Sequence, residues 1–307
     1  MTNLAIVIPY YKIDFFEETL QSVAAQTNRN FTLYIGNDAS SDNPLPLIKK
    51  YFTESEFTYF DYKENLGGKN LAMQWERILE NVNEEWFQIL GDDDTISRNF
   101  IEEFHSIIKK VESENASVVR VNRFAVDHNN KLIREDLLEE GLLKSTDLFE
   151  MGYCGKTTTS LSEFIFRLRD YHKFKFDKIP LAWGTDVLAF LKFSNFKNIF
   201  VNNQSCVKVK VTTKSITGNS SDLLQVKEEA FNLFREIILN QYSTHFKKKF
   251  IDKIVKDYLE YCWKYYKKPQ LNLYIIFVKR MDLLGFIKKN ITILKIINRN
   301  NKFNDGR

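Results

Sequence analysis

The chain of 307 residues contains only three cysteines, Cys154, Cys206 and Cys262, and only four histidines. The cysteines are odd in number, widely spaced and unaccompanied by histidine clusters, which excludes a disulfide framework or a zinc site as an organising feature. Long apolar runs are missing as well. Leu4 to Pro9 is too short for a signal peptide and has no basic segment before it. Leu271 to Val278 is cut off by Lys279, Arg280 and Asp282, so no stretch is long enough to span a bilayer. Internal repeats and low-complexity segments are absent too. The cysteine usage fits a reducing cytoplasm. What remains is ordinary for a globular chain, 44% apolar and 27% charged, and the length predicts one large or two moderate domains.

The charge is unevenly spread. From His245 to Arg307 there are 16 Lys and Arg against 5 Asp and Glu, whereas the residues before carry 28 against 35. An acidic body with a basic tail implies a charged partner for the tail. No aromatic-interleaved recognition motif accompanies the basic residues, so nucleic acid is not expected. Phe250, Ile254, Val255, Tyr258, Leu259 and Trp263 recur at helical spacing within the tail. Two readings stay open: core packing, or a helix lying on the inner face of an anionic membrane.

Up to about residue 122 the chain alternates between apolar strand-like runs and amphipathic helical ones. Strands are predicted over Leu4–Pro9, Phe31–Gly36, Phe57–Tyr62 and Trp86–Leu90, with Pro9 ending the first. This rhythm predicts a mostly parallel, doubly wound sheet. A hairpin around Asn129-Asn130 follows, then a helix opened by Trp183-Gly-Thr-Asp186, strands over Ile199–Asn202 and Cys206–Thr212, and long helices to the end.

The most informative stretch is Trp86-Phe-Gln-Ile-Leu-Gly-Asp-Asp-Asp-Thr95. A buried strand ends at Gly91, and Asp92, Asp93 and Asp94 follow at once. Adjacent carboxylates raise one another's pKa unless something positive sits among them. Mg2+ or Mn2+ suits such hard oxygens and keeps coordination positions for phosphate. The plainer alternative is a solvated acidic turn. Open α/β sheets bind ligands at the carboxyl ends of their strands, and that placement favours a metal–phosphate site.

Four stretches, Val7-Ile-Pro-Tyr-Tyr11, Asn37-Asp-Ala-Ser-Ser-Asp42, Gly91-Asp-Asp-Asp94 and Trp183-Gly-Thr-Asp186, resemble in order and spacing the motifs of family 2 inverting glycosyltransferases of the GT-A fold. The resemblance covers residues 3 to 220. It implies an α/β GT-A domain, with a Rossmann-like, mostly parallel central sheet flanked by helices. Residues 1–122 would form its nucleotide-sugar-binding half and 123–220 its acceptor-binding half, with 221–307 a helical basic extension. The implied reaction is metal-dependent, inverting transfer of a sugar from a nucleoside diphosphate, UDP foremost, to a hydroxyl of a glycan or lipid-linked acceptor. Mn2+ or Mg2+ is the implied cofactor.

Residue by residue, the similarity places Pro9 and Tyr11 at the nucleotide, with Tyr11 stacked on uracil, and has Asp38 accept a hydrogen bond from the base edge. Asp92 would meet the ribose, Asp93 and Asp94 the metal, and Lys69 the diphosphate from a helix start. Asp186 would be the catalytic base that deprotonates the acceptor hydroxyl, with Asp177 the less favoured substitute. Segment 208–218, with Lys210 and Lys214, is a further candidate to close over the diphosphate. Gly91 stands where relatives often carry the first Asp, and Thr185 where Glu is usual. These departures leave open a scaffold that binds donor without transferring it.

Overall fold

Apolar runs bounded by turn residues form the strands, and the helices between them bury one face each. The computed structural model describes residues 3–213, 215–216, 218, 223–278 and 281–305. In chain order come β1 (Leu4–Tyr10), α1 (Phe16–Ala24), β2 (Thr32–Asp38), α2 (Leu45–Tyr51), β3 (Phe57–Tyr62), α3 (Leu71–Leu79) and β4 (Trp86–Ile89). The alternation then loosens into β5 (Thr95–Ile96), α4 (Phe100–Ser113), β6 (Val118–Val126), β7 (Leu132–Glu135), β8 (Gly141–Lys144) and α5 (Ser145–Tyr153). Then follow β9 (Phe164–Arg167), α6 (Leu168–Phe174), α7 (Thr185–Phe193) and β10 (Asn198–Lys210).

One sheet has the order β3-β2-β1-β4-β9-β6-β10-β5, with β7 added on β6 and β8 on β10. Neighbours from β3 to β4 are parallel, as are β6 and β10, while β9 runs antiparallel to both β4 and β6. Ile6, Ile8, Leu33, Ile35 and Trp86 from the strands pack with Phe16, Leu20 and Val23 of α1 and Phe100 and Phe104 of α4. Burying such side chains contributes about 1.5–3 kcal/mol each.

Several expectations need correction. Pro9 does not end β1, because it pairs in register with Gly36 of β2 and the strand runs on to Tyr10. Val7 bonds toward β4, and by alternation so does Pro9. The β1–β4 register has already ended at Val7 and Ile89, so the missing N–H costs no ladder bond. The two strands expected before residue 212 form a single 13-residue strand, β10, whose pairing with β6 is irregular between Asn202 and Cys206. Sequence periodicity missed β5, with only two residues, β8, whose residues alternate between half-buried and exposed, and α5.

Residues 1–224 form one compact unit and 225–307 a second. The second contains α8 (Leu224–Ile237), a π-helical turn over Ile238–Tyr242, α9 (Lys248–Lys264), α10 (Leu273–Ile276) and α11 (Leu283–Asp305). The stripe Phe250, Ile254, Val255, Tyr258 and Leu259 on α9 is buried, and only Trp263 at its end is substantially exposed. For this stripe core packing is the outcome. Tyr258 Oη donates to Glu236 of α8 at 3.0 Å and accepts from the Gln270 amide at 2.9 Å. Arg299 of α11 lies over the Trp263 and Tyr266 rings and donates to the Trp263 carbonyl. Among the described residues, no helix is long and apolar enough to cross a membrane.

Candidate active site

The first wall of the site is the loop that leaves β1. Tyr10 is buried against Phe16, its ring centroid 4.6 Å from that ring, while Tyr11 is 45% exposed. The backbone N–H groups of Tyr11 and Lys12 both donate to Asp92 Oδ2 at 2.7 Å, and Ser40 Oγ donates to the Tyr11 carbonyl at 2.7 Å. The loop is therefore held from both sides with the Tyr11 ring left outward. Burial, and then the charge of Asp93, pushes the Asp92 carboxyl up to about 7.

The three aspartates face different partners. Asp94 is buried, accepting from the Lys210 amide at 3.0 Å and from the Ser162 hydroxyl. It fastens the end of β4 to the end of β10 and to the turn ahead of β9. Asp93 instead lines a cleft with Lys12, Asp14, Phe15, Thr212 and Ser215, and its carboxyl is raised by burial and by Asp94. Gly91 has a steric reason. A Cβ there would stand 3.0 Å from Asp94 Oδ2 and 3.2 Å from Asp93 Oδ1, so an Asp at position 91 would crowd the two carboxylates that fold back over it.

Lys210 closes this side. Its ammonium is buried, pairs with Glu18 at 2.7 Å and stands 4.2 Å from the centre of the Phe15 ring. Lys214 lies outside the described residues.

Asp38, at the end of β2, is nearly consumed by the protein itself. It accepts from the Leu66 and Gly67 amides at 2.8 and 2.7 Å and from the Arg77 guanidinium. A Cβ on Gly67 would meet Asp38 Oδ2 at 2.5 Å, which is why the turn opening α3 needs glycine there. Arg77 lies over the Tyr62 ring at 3.7 Å, a role the sequence did not single out. Lys69 stands apart from the carboxylates in an exposed ion pair with Glu64.

Asp186 occupies the first turn of α7, after Gly184 at φ 90° and two non-glycine residues, Leu181 and Ala182, at φ 57° and 51°. Left-handed backbone at such residues costs about 1–3 kcal/mol each. The Ile179 carbonyl holds the loop by accepting from Asn70 Nδ2 and the Ala182 amide, both at 2.9 Å. Half-buried Trp183 lies within it. Asp186 Oδ2 accepts from the Thr159 hydroxyl at 2.8 Å, and burial raises its carboxyl above the ordinary range. Thr185 is fully buried and donates to the Asp177 carbonyl at 3.0 Å. Asp177 itself is engaged by Lys192 at 2.6 Å.

Behind Thr159 lies a buried charge network that sequence reading missed. Glu163 is fully buried between Arg120, at 2.8 Å, and Arg123, at 3.2 Å. Arg123 continues to Asp136 at 2.7 Å and Thr158 at 2.8 Å, and Asp136 also accepts from the Thr158 amide. The positive charge of Arg123 favours the ionised forms of both Asp94 and Asp186. The available signal was Arg120 itself, a charge set among Val118, Val119 and Val121.

Among the described residues no three His, Cys, Asp or Glu side chains converge into a metal-binding group. Asp93 is the carboxylate placed to offer an oxygen to the cleft, and further ligands would come from a donor's phosphates, the arrangement Mg2+ and Mn2+ commonly accept. The residues fit a metal shared with substrate rather than a closed protein cage.

The family profile described as glycosyl transferase family 2 matches residues 5–200, which span β1 to the start of β10 and hold every carboxylate of this candidate site. The chain belongs to that family. An uncharacterised glycosyltransferase of Rickettsia typhi is 24% identical over 254 residues, covering 79% of this chain and 76% of its own. The glycosyltransferase GlyA of Streptococcus pneumoniae is 20% identical over 185 residues, and only 26% of its length is matched. Residues 1–349 of Staphylococcus aureus TarS, solved in complex with UDP-GlcNAc, superpose with a TM-score of 0.63 at 17% identity, covering 98% of this chain and 80% of that one. A longer TarS chain gives 0.59, and 44% of it is covered. The sheet of this glycosyltransferase is thus that of the GT-A fold, with helices following it.

Proposed function

We propose that this glycosyltransferase moves a sugar from a nucleoside diphosphate, UDP foremost, to a hydroxyl of a glycan or lipid-linked acceptor, with inversion. The observation that carries the reading is the split among the aspartates: Asp92 and Asp94 hold the loops together while Asp93 faces the cleft. In this reading residues 1–122 hold the donor and 123–220 the acceptor. The exposed Tyr11 ring stacks on the base beside Pro9. Asp38 Oδ2 takes one protein donor and has a lone pair left for a base N–H. Asp92 lies at the ribose, and Lys69 reaches the diphosphate by leaving Glu64. A divalent cation at Asp93 would offset the charge that builds on the leaving diphosphate. TarS in complex with UDP-GlcNAc supports the donor class.

Asp186 would take the proton of the acceptor hydroxyl as that oxygen attacks the anomeric carbon. Its raised carboxyl makes it a stronger base than an exposed aspartate, while Thr159 keeps it oriented. The Thr159 hydroxyl favours the charged form. Thr159→Val should therefore raise the Asp186 pKa further and move the acid limb of the kcat–pH profile to higher pH. An acid limb that stays in place would show that Asp186 is not the group being titrated.

The direct test is calorimetric titration of UDP and UDP-sugars with Mn2+ or with chelator, beside a donor-hydrolysis assay. Asp93→Asn should weaken nucleotide binding in Mn2+ and leave binding in chelator unchanged. Equal affinities for wild type and variant in Mn2+ would remove the metal from Asp93.

A further inference from the structure

In the C-terminal unit a continuous exposed apolar stripe lies on α11, whereas the stripe of α9 is buried. Leu283, Leu284, Ile287, Ile291 and Leu294 are each between 50 and 71% exposed, and Met281 just before them is 92% exposed. At 3.6 residues per turn these five α11 residues fall within an arc of about 100°, opposite buried Ile296, which anchors the helix. Exposed Lys288, Lys295 and Lys302 repeat every seven residues and form one line along the edge of the stripe. No Asp or Glu occurs between Leu283 and Lys302. The N-terminal end is fixed by Asp282, which pairs with Lys248 at 3.0 Å and accepts from the Gly285 amide at 3.0 Å.

We propose that this face of α11 lies in the surface of an anionic lipid bilayer, the stripe sunk among the upper acyl chains and the lysine line on the headgroups. The proposal deepens the reading in which the acceptor is lipid-linked. Charge chooses the occupant. A second copy of α11 would oppose lysine to lysine with no carboxylate on either helix to answer it, whereas an anionic surface answers every one. The stripe covers only about three turns and carries a cation along its edge, which suits a helix lying in the interface and not one crossing it.

The test is flotation of the full chain with phosphatidylcholine vesicles, with and without phosphatidylglycerol. Wild type should float with the anionic vesicles at low salt, and not with pure phosphatidylcholine. Ile287→Ser/Ile291→Ser and Lys288→Gln/Lys295→Gln should each reduce partitioning by about tenfold or more. These side chains are exposed, so circular dichroism should report an unchanged fold. UDP-sugar hydrolysis by both variants should match wild type, which separates failure of this proposal from failure of the transferase reading. Absence of flotation, or flotation unaffected by the isoleucine changes, would overturn it. So would a concentration-dependent dimer abolished by those changes without vesicle binding, because a second copy would then be the occupant.

Discussion

Replacing Asp186 by asparagine is expected to lower sugar transfer by roughly 100- to 10,000-fold, the usual contribution of a positioned general base, while donor affinity stays nearly unchanged. The carboxylate accepts from the Thr159 hydroxyl, which is not among the residues assigned to the nucleotide. The amide keeps its shape and can still accept from Thr159, but it has no basic oxygen for the acceptor proton. The loss should fall on turnover and spare donor binding. If Asp186 served only α7, the pattern would reverse. An acidic residue in the first turn stabilises a helix by about 0.3–1 kcal/mol, so the variant would melt slightly earlier and its folded fraction would turn over normally. Single-turnover rates at saturating donor, measured beside Tm, decide between them. Near-normal turnover in a stable variant would eliminate Asp186 as base.

Glu163→Ala should be the most destabilising single change in the catalytic unit. The side chain is fully buried between two guanidiniums, and removing one partner of a buried pair typically costs about 3–5 kcal/mol because the other charges remain. Without Glu163, Arg120 would keep only the neutral Asp136 carbonyl, to which Nη2 donates at 2.9 Å, and no carboxylate in direct contact. The Glu163 carboxylate also accepts from the Ser160 amide and hydroxyl, next to Thr159. Loosening it should therefore disturb Asp186 as well as the fold. A fall in Tm on the order of 10 °C is expected, with reduced turnover in what stays folded. A Tm within about 2 °C of wild type would falsify the claim that the network holds this wall.

The parallel half of the sheet was legible because each strand is a short apolar run closed by turn residues, and the local signal agrees with the final packing. Carboxylates at the end of β4 were legible for the same reason. Which aspartate fastens and which faces the cleft was not, because Ser162 and the Lys210 amide that engage Asp94 lie 68 and 116 residues away in sequence. Arg123 and Asp136 were not singled out, since a buried ion pair becomes visible only when both partners are placed. The α9 stripe was ambiguous on principle. One apolar periodicity serves a core and a membrane equally well, and only burial tells them apart.

Asp94 joined to the Lys210 amide, and Glu18 to the Lys210 ammonium, have a consequence for how the chain is made. Glu18 and Lys210 are 192 residues apart. During synthesis β1 to β4 can pair once β4 has emerged, because each then has its neighbour in this part of the sheet. The aspartate cradle must then wait for a further 116 residues, about ten seconds at ribosomal rates. In that interval Asp92 already has the Tyr11 and Lys12 amides, while Asp94 still lacks the Lys210 amide. Truncated chains ending shortly before residue 210 should be open at this end of the sheet and especially prone to capture by chaperones.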